Sequence, residues 1–445
     1  MTRSPSGRGS AALQPGALRL PPGVAALLEA VLAVAERDGR AVYLVGGPVR
    51  DLLLRKPVRD VDLIVDGDAA ALARAAAPPG AAVVSHDRFG TVRLQSGAAA
   101  LDLSSARRER YERPGALPIV EPGGVEEDLR RRDFTVNAMA LPLTAAARRG
   151  GDGLLEPVGA RADLEAGLLR IFHPRSFHDD PTRALRAARL AGRLRFRLSR
   201  GTRSALRDAL RDGAFGGVSG DRLRREIEKL FSDAALGLDP AVALRLLAEW
   251  HVLGALEPGL ALPRAALAPL RRLGRAVAAP PWPEEPLRSW VAGLALWLAE
   301  ADSTSRRRTL RRLAVRGEAA ERIEGFAKRR RAWQRALARC RGRGAVDALL
   351  GGIDRESLLA FWCAADPSER RRIARWALED RDRRLPLGGS DLTALGLAGP
   401  AVGAALARLR AAYLDCALPD REAALATARE LAAHPRVARK AARAR

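Results

Sequence analysis

The sequence predicts an α+β protein in which a small mixed region precedes a long all-helical part. Five apolar runs between about residues 20 and 143 are short and rich in strand-forming residues: AVYLV, VDLIV, AAVV, TVRL and AAALDL. After about residue 157 strand patterns vanish, and leucine, alanine and arginine recur at helical spacing. Glycine and proline predict breaks in the helical part near residues 213–220, 278–286, 351–352 and 386–390.

The chain carries a large excess of positive charge. Its 445 residues include 76 lysines and arginines against 52 aspartates and glutamates, a formal net charge of +24. Such a surplus indicates a polyanionic partner, most simply nucleic acid. A membrane role is the weaker alternative, because neither a transmembrane-length apolar run nor a separate basic amphipathic helix occurs. Three cysteines without CxxC spacing favour neither structural zinc nor disulfides and fit a reducing cytoplasm.

Two carboxylates, Asp60 and Asp62, stand at the start of the strand-like run VDLIV. Residues two apart in a strand point to the same face, so both side chains enter one small volume. Like charges at that spacing are costly unless a cation lies between them. We therefore expect a divalent ion, since Mg²⁺ takes oxygen ligands and shares its coordination shell with substrate phosphates.

A glycine turn precedes this carboxylate pair. Gly46 and Gly47 follow the run AVYLV and precede a predicted helix. Glycine lets the backbone approach a phosphate chain closely, and the helix start adds amide donors and the positive end of a dipole. Arg50 would either complete a triphosphate site or pair with Asp51. The structural alternative is a tight strand–helix turn with a surface ion pair.

Two further segments supply candidate residues. Asp102 ends the run AAALDL, where it is either a third ligand that helps to deprotonate an attacking hydroxyl or a strand-end carboxylate in solvent. The segment RRDFTVNA contains Arg132 and Asp133, which are suited to holding a ribose and a triphosphate, with Asn137 beside them. Taken alone, that segment is equally well interpreted as a helix-capping cluster.

The segment DDPTR, residues 179–183, has two interpretations. Proline after aspartate begins helices well, so Asp180 would cap a helix and pair with Arg183. Alternatively the pair recognises a base, because a carboxylate accepts from an exocyclic amino group while a guanidinium donates to the adjacent ring nitrogen. Cytosine and adenine present that pattern, whereas uracil and guanine present a carbonyl that repels the carboxylate. Such a pair would select CTP and ATP.

The most densely basic segment is residues 303–344, which predicts either a solvated helix surface or a face that follows RNA phosphates. The clustering of its arginines favours phosphate contact. The candidate RNA-binding residues are Arg306, Arg307, Arg308, Arg311 and Arg312.

Five motifs occur in order: LVGGPVRDLLLRKPVRDVDLIV, RFGTVRL, LRRRDFTVNAMAL, FHDDPTRALRAARLAGRL and SGDRLRREIEKLF. Together they resemble the class II tRNA nucleotidyltransferase and bacterial poly(A) polymerase family over about half the chain. The resemblance implies a polymerase-β-like nucleotidyltransferase head, a mixed sheet with helices, followed by an all-helical neck, body and tail. The expected division is a flexible leader over 1–19, the head over 20–145, the neck over 146–230, the body over 231–350 and the tail over 351–445.

The resemblance also implies roles for individual residues. Asp60 and Asp62 would bind two Mg²⁺ ions, and the partners would be CTP, ATP and the acceptor end of tRNA. The RNA 3′-hydroxyl would attack the α-phosphorus, and pyrophosphate would leave without any template. The expected nucleotide-binding residues are Gly46, Gly47, Arg50, Arg132, Asp133, Asn137, Asp179 (where the family usually has glutamate), Asp180, Arg183, Arg186 and Arg189.

Members of this family differ in their product, which is the whole CCA end, CC alone, the terminal A alone or a poly(A) tail. The segments RFGTVRL and DDPTR favour tRNA-specific members, and the second is frequent where two proteins share CC and A addition. The loop-like stretch 106–124 lies where the family has a flexible loop linked to the switch from C to A, which disfavours CC addition alone. A noncatalytic RNA-binding protein is the alternative from another class, and the intact Asp60 and Asp62 disfavour it.

Overall fold

The computed structural model describes residues 18–58, 60–86, 90–112, 115, 118–149, 153–157, 159–283 and 287–433. The predicted leader therefore lies almost wholly outside the described residues. The chain divides into two compact units, Met1–Val218 and Ser219–Arg445. The finer division into head, neck, body and tail stays a prediction, while the predicted α+β architecture is confirmed.

Within the described part of the chain, all strands belong to the first unit. They are β1 (Val42–Val45), β2 (Asp62–Val65), β3 (Ala82–His86), β4 (Thr91–Ser96), β5 (Ala99–Ser105), β6 (Arg107–Arg110), β7 (Ile119–Pro122), β8 (Ala140–Pro142), β9 (Leu168–Leu169) and β10 (Arg197–Leu198). Six of them form one sheet in the order β3-β4-β5-β2-β1-β8. The β2–β5 pair is parallel and the other pairs of this sheet are antiparallel. The five strands predicted from apolar runs are confirmed.

The helices of the first unit precede, separate or follow these strands. They are α1 (Pro22–Arg37), α2 (Gly47–Leu53), α3 (Ala69–Ala76), α4 (Val125–Arg130), α5 (Ala145–Arg148), α6 (Ala160–Glu165), α7 (Ser176–Asp179), α8 (Arg183–Leu194) and α9 (Arg200–Arg211). Helix α3 packs against β4 and β5. Alternate residues of these strands, including Val92 and Leu101, are buried, while Arg93 and Asp102 between them are exposed. The period of two thus leaves polar side chains on one face.

The stretch 106–124 contains two strands, although its composition suggests a loop. Strands β6 and β7 pair in antiparallel register, with Arg107 opposite Pro122 and Arg110 opposite Ile119. Arg108 and Glu121 lie opposite each other and form an ion pair of 2.9 Å, which supports the ribbon across its strands. Strand β6, RRER, is charged at every position, and β7, IVEP, begins with only two adjacent apolar residues, so a search for apolar runs misses both. The parallel pair β9–β10 was also missed, because each of these strands is too short to give an apolar run.

The second unit is helical throughout its described residues. Its helices are α10 (Gly220–Ser232), α11 (Pro240–Glu249), α12 (Val252–Leu256), α13 (Arg264–Ala278), α14 (Ser289–Trp297), α15 (Ser303–Arg312), α16 (Gly317–Arg339), α17 (Gly342–Leu350), α18 (Arg355–Ala364), α19 (Pro367–Arg375), α20 (Gly389–Ala394), α21 (Pro400–Leu414) and α22 (Arg421–Ala433). The predicted breaks are confirmed, since helices end or begin at each of them. No helix in the described ranges is long and apolar enough to cross a membrane.

Candidate active site

Two carboxylates are direct neighbours on the polar face of the sheet, and a third precedes one of them in the chain. Asp62 is the first residue of β2, and its direct partner on the parallel strand β5 is Asp102. Asp60 precedes β2 and is exposed. Burial raises the pKa of Asp62 to about 6, the charge of Arg132 opposes this, and the charges of Asp102 and Asp60 add to it. The carboxylates therefore interact with one another, as the spacing of Asp60 and Asp62 predicts.

A cleft of about 360 Å³ opens beside these carboxylates, and its charged lining consists of Asp62, Asp102, Arg93 and Arg132. Arg93 of β4 lies directly opposite Asp102, and its Nη1 atom is 3.2 and 3.3 Å from the two carboxylate oxygens. Sequence reasoning passed over Arg93. Its position between two buried residues in TVRL was the available signal, but its partner became evident only with the strand register.

The donors of this cleft suit a hard cation. Carboxylate oxygens are the ligands that Mg²⁺ takes, and the crowding of like charges around Asp62 favours a cation there. Among the described residues, no three His, Cys, Asp or Glu side chains converge tightly enough to hold an ion. An ion at Asp60 and Asp62 would therefore complete its shell with water or with substrate phosphate oxygens, as Mg²⁺ commonly does.

Gly46 forms the turn between β1 and α2 in a conformation that favours glycine. Its φ is 76° and its ψ is −132°, and its N–H donates to the carbonyl of Met139. A Cβ atom at this position would lie 2.8 Å from Nη1 of Arg132. The glycine thus lets the backbone turn and lets Arg132 lie against it, beside the carboxylate cleft.

We expect Gly46→Ala to lower the free energy of unfolding by about 1–3 kcal/mol, because alanine is strained at this φ and crowds Arg132. Gly47→Ala is the matched control, since its Cβ would meet Arg50 at an ordinary 3.5 Å. That variant should shift stability by less than about 1 kcal/mol. Urea unfolding measures both, and equal losses in the two variants would contradict the argument.

Arg50 supports the glycine turn through hydrogen bonds from its buried guanidinium. Its side chain is 2% exposed, its Nε and Nη2 donate to Asp51 at 2.8 and 2.7 Å, and its Nη1 donates to Oδ1 of Asn137 at 2.6 Å. Asn137 in turn donates from Nδ2 to Asp133 at 3.1 Å. Of the two interpretations of Arg50, the ion pair with Asp51 is present, and contact with a triphosphate stays a prediction.

The same network continues to the DDPTR segment. The second carboxylate oxygen of Asp133 lies 3.2 Å from Nε of Arg186, and Nη2 of Arg186 donates to Asp180 at 3.2 Å. A continuous path therefore joins Arg50, Asn137, Asp133, Arg186 and Asp180. The structure brings together residues that the sequence offered as three separate motifs.

Asp180 is not the N-cap of the following helix, contrary to the structural interpretation of DDPTR. Helix α8 begins at Arg183 with Thr182 at the N-cap, and Asp180 instead accepts from the N–H and hydroxyl of Thr182. Such a local turn is typical of aspartate two residues before a backbone donor. Proline at 181 keeps this turn outside the helix.

Arg183 is 4% exposed and faces the first residues of the RRD motif. Its Nη2 donates to the carbonyl of Arg131 at 3.0 Å, and its Nη1 donates to the hydroxyl of Ser176. Its Nε is buried without an acceptor among the described residues.

Asp179 ends α7, with a carboxylate oxygen 3.7 Å from Nε2 of His173. Arg189 lies on α8, three residues after Arg186, and is half-buried.

Asp128 is a supporting residue that sequence reasoning missed. It is fully buried in α4, accepts from Arg131 at 2.7 and 2.9 Å, and accepts from Arg132 at 3.2 Å. Glu109 of β6 holds Arg131 from the other side at 2.8 Å. The spacing of three and four residues between Asp128 and the arginines was the signal in the sequence.

The predicted RNA-binding arginines of α15 do not share one face. Arg306 is 5% exposed and donates to the carbonyls of Leu298 and Ala301, so its role within the second unit is structural. Arg312 donates to the carbonyl of Leu256, and Arg308 pairs with Glu257 at 2.7 Å. Arg307 and Arg311 are exposed. A helix of this pitch cannot present arginines at 306, 307 and 308 to one side.

Residues 42–170 match the family of Poly A polymerase head domains. An A-adding tRNA nucleotidyltransferase of Aquifex aeolicus (strain VF5) is 45% identical over 187 residues, which are 42% of this chain and 22% of that protein. A CC-adding tRNA nucleotidyltransferase of Deinococcus radiodurans is 46% identical over 154 residues, 34% of this chain and 40% of that protein. The resemblance drawn from the five motifs is confirmed.

The likeness in fold extends further than the likeness in sequence. The solved Thermotoga maritima CCA-adding enzyme complexed with tRNA_CCA has a TM-score of 0.68 and 27% identity, and the match covers 92% of this chain and 96% of that one. By contrast, the match to the two curated relatives covers less than half of each relative's length. The predicted head followed by helical parts is thus confirmed as the fold of such enzymes.

Proposed function

We propose that this chain is a template-independent tRNA nucleotidyltransferase that adds CMP or AMP, or both, from CTP and ATP to the 3′ end of tRNA. The observation that carries the proposal is the network that joins the glycine turn, the RRD motif and the DDPTR motif on one side of a carboxylate cleft. The named relatives and the tRNA-bound neighbour support the choice of RNA. We also propose a cytoplasmic location, where tRNA is matured.

The chemistry we propose is nucleotidyl transfer with release of pyrophosphate. Asp60 and Asp62 would hold Mg²⁺, which when bound stabilises charge on the attacking and leaving oxygens. Gly46 and Gly47 would let the triphosphate approach the start of α2 closely, and Arg132 would supply positive charge between the turn and Asp62. Asp102 lies beside Asp62, where it can accept the proton of the RNA 3′-hydroxyl.

Nucleotide choice would rest on Asp180 and Arg183. Arg186 pairs with one carboxylate oxygen of Asp180 and Thr182 occupies the other, so the carboxylate is held in one orientation. Arg183 is held by Ser176 and Arg131 and keeps a buried Nε–H without an acceptor. Preorganised groups of this kind favour a base with an amino group beside a ring nitrogen.

The deciding experiment uses tRNA transcripts that end at the discriminator base, at C and at CC, each given one labelled NTP with Mg²⁺. CTP on the first two and ATP on the third indicate CCA addition, whereas long ladders on unrelated RNA indicate a poly(A) polymerase. Asp60→Ala and Asp62→Ala should abolish every product and leave tRNA binding nearly intact. Binding of tRNA without any incorporation by the wild-type protein would indicate the noncatalytic alternative and overturn the proposal.

Addition of the terminal A alone is a narrower candidate, favoured by the match to the A-adding Aquifex aeolicus protein over 187 residues, which is longer than the 154-residue match to the CC-adding Deinococcus radiodurans protein. It predicts incorporation of ATP on transcripts ending in CC and no incorporation of CTP on the shorter ones. The ribbon formed by β6 and β7 lies where the family has its loop for the switch from C to A, which disfavours addition of CC alone.

We expect Arg311→Ala to weaken tRNA binding several-fold and to reduce the salt dependence of binding by about one counterion, because an exposed arginine contacts phosphate. Arg306→Ala is the matched comparison on the same helix. It should lower the free energy of unfolding by about 2 kcal/mol or more, because it removes a buried donor from two carbonyls. Fluorescence titrations at several salt concentrations measure binding, and an unchanged salt slope for Arg311→Ala would contradict the assignment.

A further inference from the structure

Arg93 lies on the side of the carboxylates that faces away from the glycine turn. The sheet order places β1, with the glycine turn at its end, on one side of β2, and places β5 and then β4 on the other side. Arg93 is the direct partner of Asp102, and Asp102 is the direct partner of Asp62, so the three side chains leave the same face. At about 4.8 Å between strands, Arg93 lies roughly 10 Å across the sheet from Asp62.

The in-line geometry of phosphoryl transfer places one substrate on each side of Asp62. The attacking and the leaving oxygens lie on opposite sides of the phosphorus. If the glycine turn holds the triphosphate, the RNA end must approach Asp62 from the side of β5 and β4. The nearest fixed negative charge on that RNA strand is its last phosphodiester, one nucleotide back from the reacting hydroxyl. Arg93 is the charged residue of β4 that lines the cleft on this side.

The partner that Arg93 has in the structure is easily exchanged. Its ion pair with Asp102 spans 3.2 Å, and the two side chains are 52% and 51% exposed. Ion pairs between exposed side chains contribute little to stability, so exchange of Asp102 for another anion costs little. A guanidinium binds phosphate through two parallel hydrogen bonds, which are stronger than bonds to neutral groups.

We propose that Arg93 binds the last phosphodiester of the acceptor RNA and thereby positions its 3′-hydroxyl, while Asp102 is released from the ion pair. Before the RNA binds, Arg93 neutralises Asp102. After the RNA binds, Arg93 contacts the RNA phosphate instead, so RNA binding frees the Asp102 carboxylate, which faces the 3′-hydroxyl. This inference rests on the proposed nucleotidyl transfer and adds a binding subsite for the RNA terminus.

The test is a double-mutant cycle that combines substitution of Arg93 with neutralisation of the phosphodiester that Arg93 is proposed to contact. Full-length wild type, Arg93→Ala and Arg93→Lys are assayed with acceptor RNAs whose last phosphodiester is either normal or a neutral methylphosphonate. We expect Arg93→Ala to raise KM for the normal RNA about 10-fold, with KM for the NTP unchanged within about twofold. The methylphosphonate should cost the wild type a similar factor and the alanine variant almost nothing, and Arg93→Lys should recover part of the loss.

If the two losses multiply instead, Arg93 and the phosphodiester do not interact, and the inference is wrong. A rise in KM for the NTP without a rise for the RNA would also overturn it. Arg74→Ala, an exposed arginine of α3, is the control for nonspecific loss of charge and should leave both KM values unchanged. A wild-type protein that extends no acceptor would refute nucleotidyl transfer itself, which separates that failure from a failure of the Arg93 assignment.

Discussion

Asp62→Asn should abolish nucleotide addition and at the same time stabilise the protein at pH 8. We expect activity to fall by at least about 10³-fold, because the amide is a poor ligand for the ion that the carboxylates would hold. The gain in stability follows from the pKa of Asp62, which burial and the neighbouring carboxylates raise to about 6. A carboxyl of raised pKa is ionised at a cost in the folded protein, and asparagine removes that cost.

The stability gain of Asp62→Asn depends on pH. The folded pKa of about 6 lies above the ordinary value of 3.8, so the folded protein binds more protons between these values and its stability falls as the pH rises through them. The advantage of asparagine should be complete above pH 6 and vanish below pH 4. Because Asp62 is only partly buried, we expect a gain of about 1–2 kcal/mol rather than the full value of the shift.

Thermal unfolding at pH 4 and pH 8 without Mg²⁺ measures this effect. Asp66→Asn is the matched control, since it removes an exposed aspartate just beyond the other end of β2. It should keep full activity and gain no stability. An Asp62→Asn protein that is no more stable than the wild type at pH 8 would mean that the crowding of charge around Asp62 is relieved in another way.

Arg183→Ala should relax nucleotide choice. We expect the preference for ATP and CTP over GTP and UTP to fall by about 10–100-fold, because a paired contact to a base edge contributes about 1–3 kcal/mol of discrimination. Stability should also fall, since the guanidinium is buried and donates to Ser176 and to the carbonyl of Arg131. Competition assays with mixed labelled NTPs measure the preference.

Ser176→Ala separates a role of Arg183 in base recognition from a role of Arg183 in stability. It removes one acceptor of Arg183 but leaves the guanidinium in place, so stability should fall while most of the preference is kept. If both variants lose stability and neither loses preference, Arg183 is a structural residue and the base is recognised elsewhere.

The fold was predictable from the sequence where periodicity was carried by apolar residues. The strands β1 to β5 follow from such runs and the helical breaks from glycine and proline, whereas β6 is charged at every position and gives no apolar signal. The proximity of Asp60 and Asp62 was predictable because the two residues are only two apart at the start of β2, while their metal-binding role stays a prediction. Arg93 and Glu109 were not, because each acquires its partner through strand register or through packing against α4. Arg306 was misassigned because a count of charges ignores which side of a helix is buried.

The strand order has a consequence for biosynthesis. Strand β1 pairs with β2 on one side and with β8, Ala140–Pro142, on the other. A nascent chain that ends before residue 140 therefore carries β1 as an uncovered sheet edge, which is a template for pairing with other chains. The pairing of Val45 with Ala140 spans almost the whole head, and such distant contacts form slowly. We infer that the carboxylate cleft reaches its final form only after the ribosome has released the RRD motif, so that shorter fragments should aggregate rather than bind nucleotide.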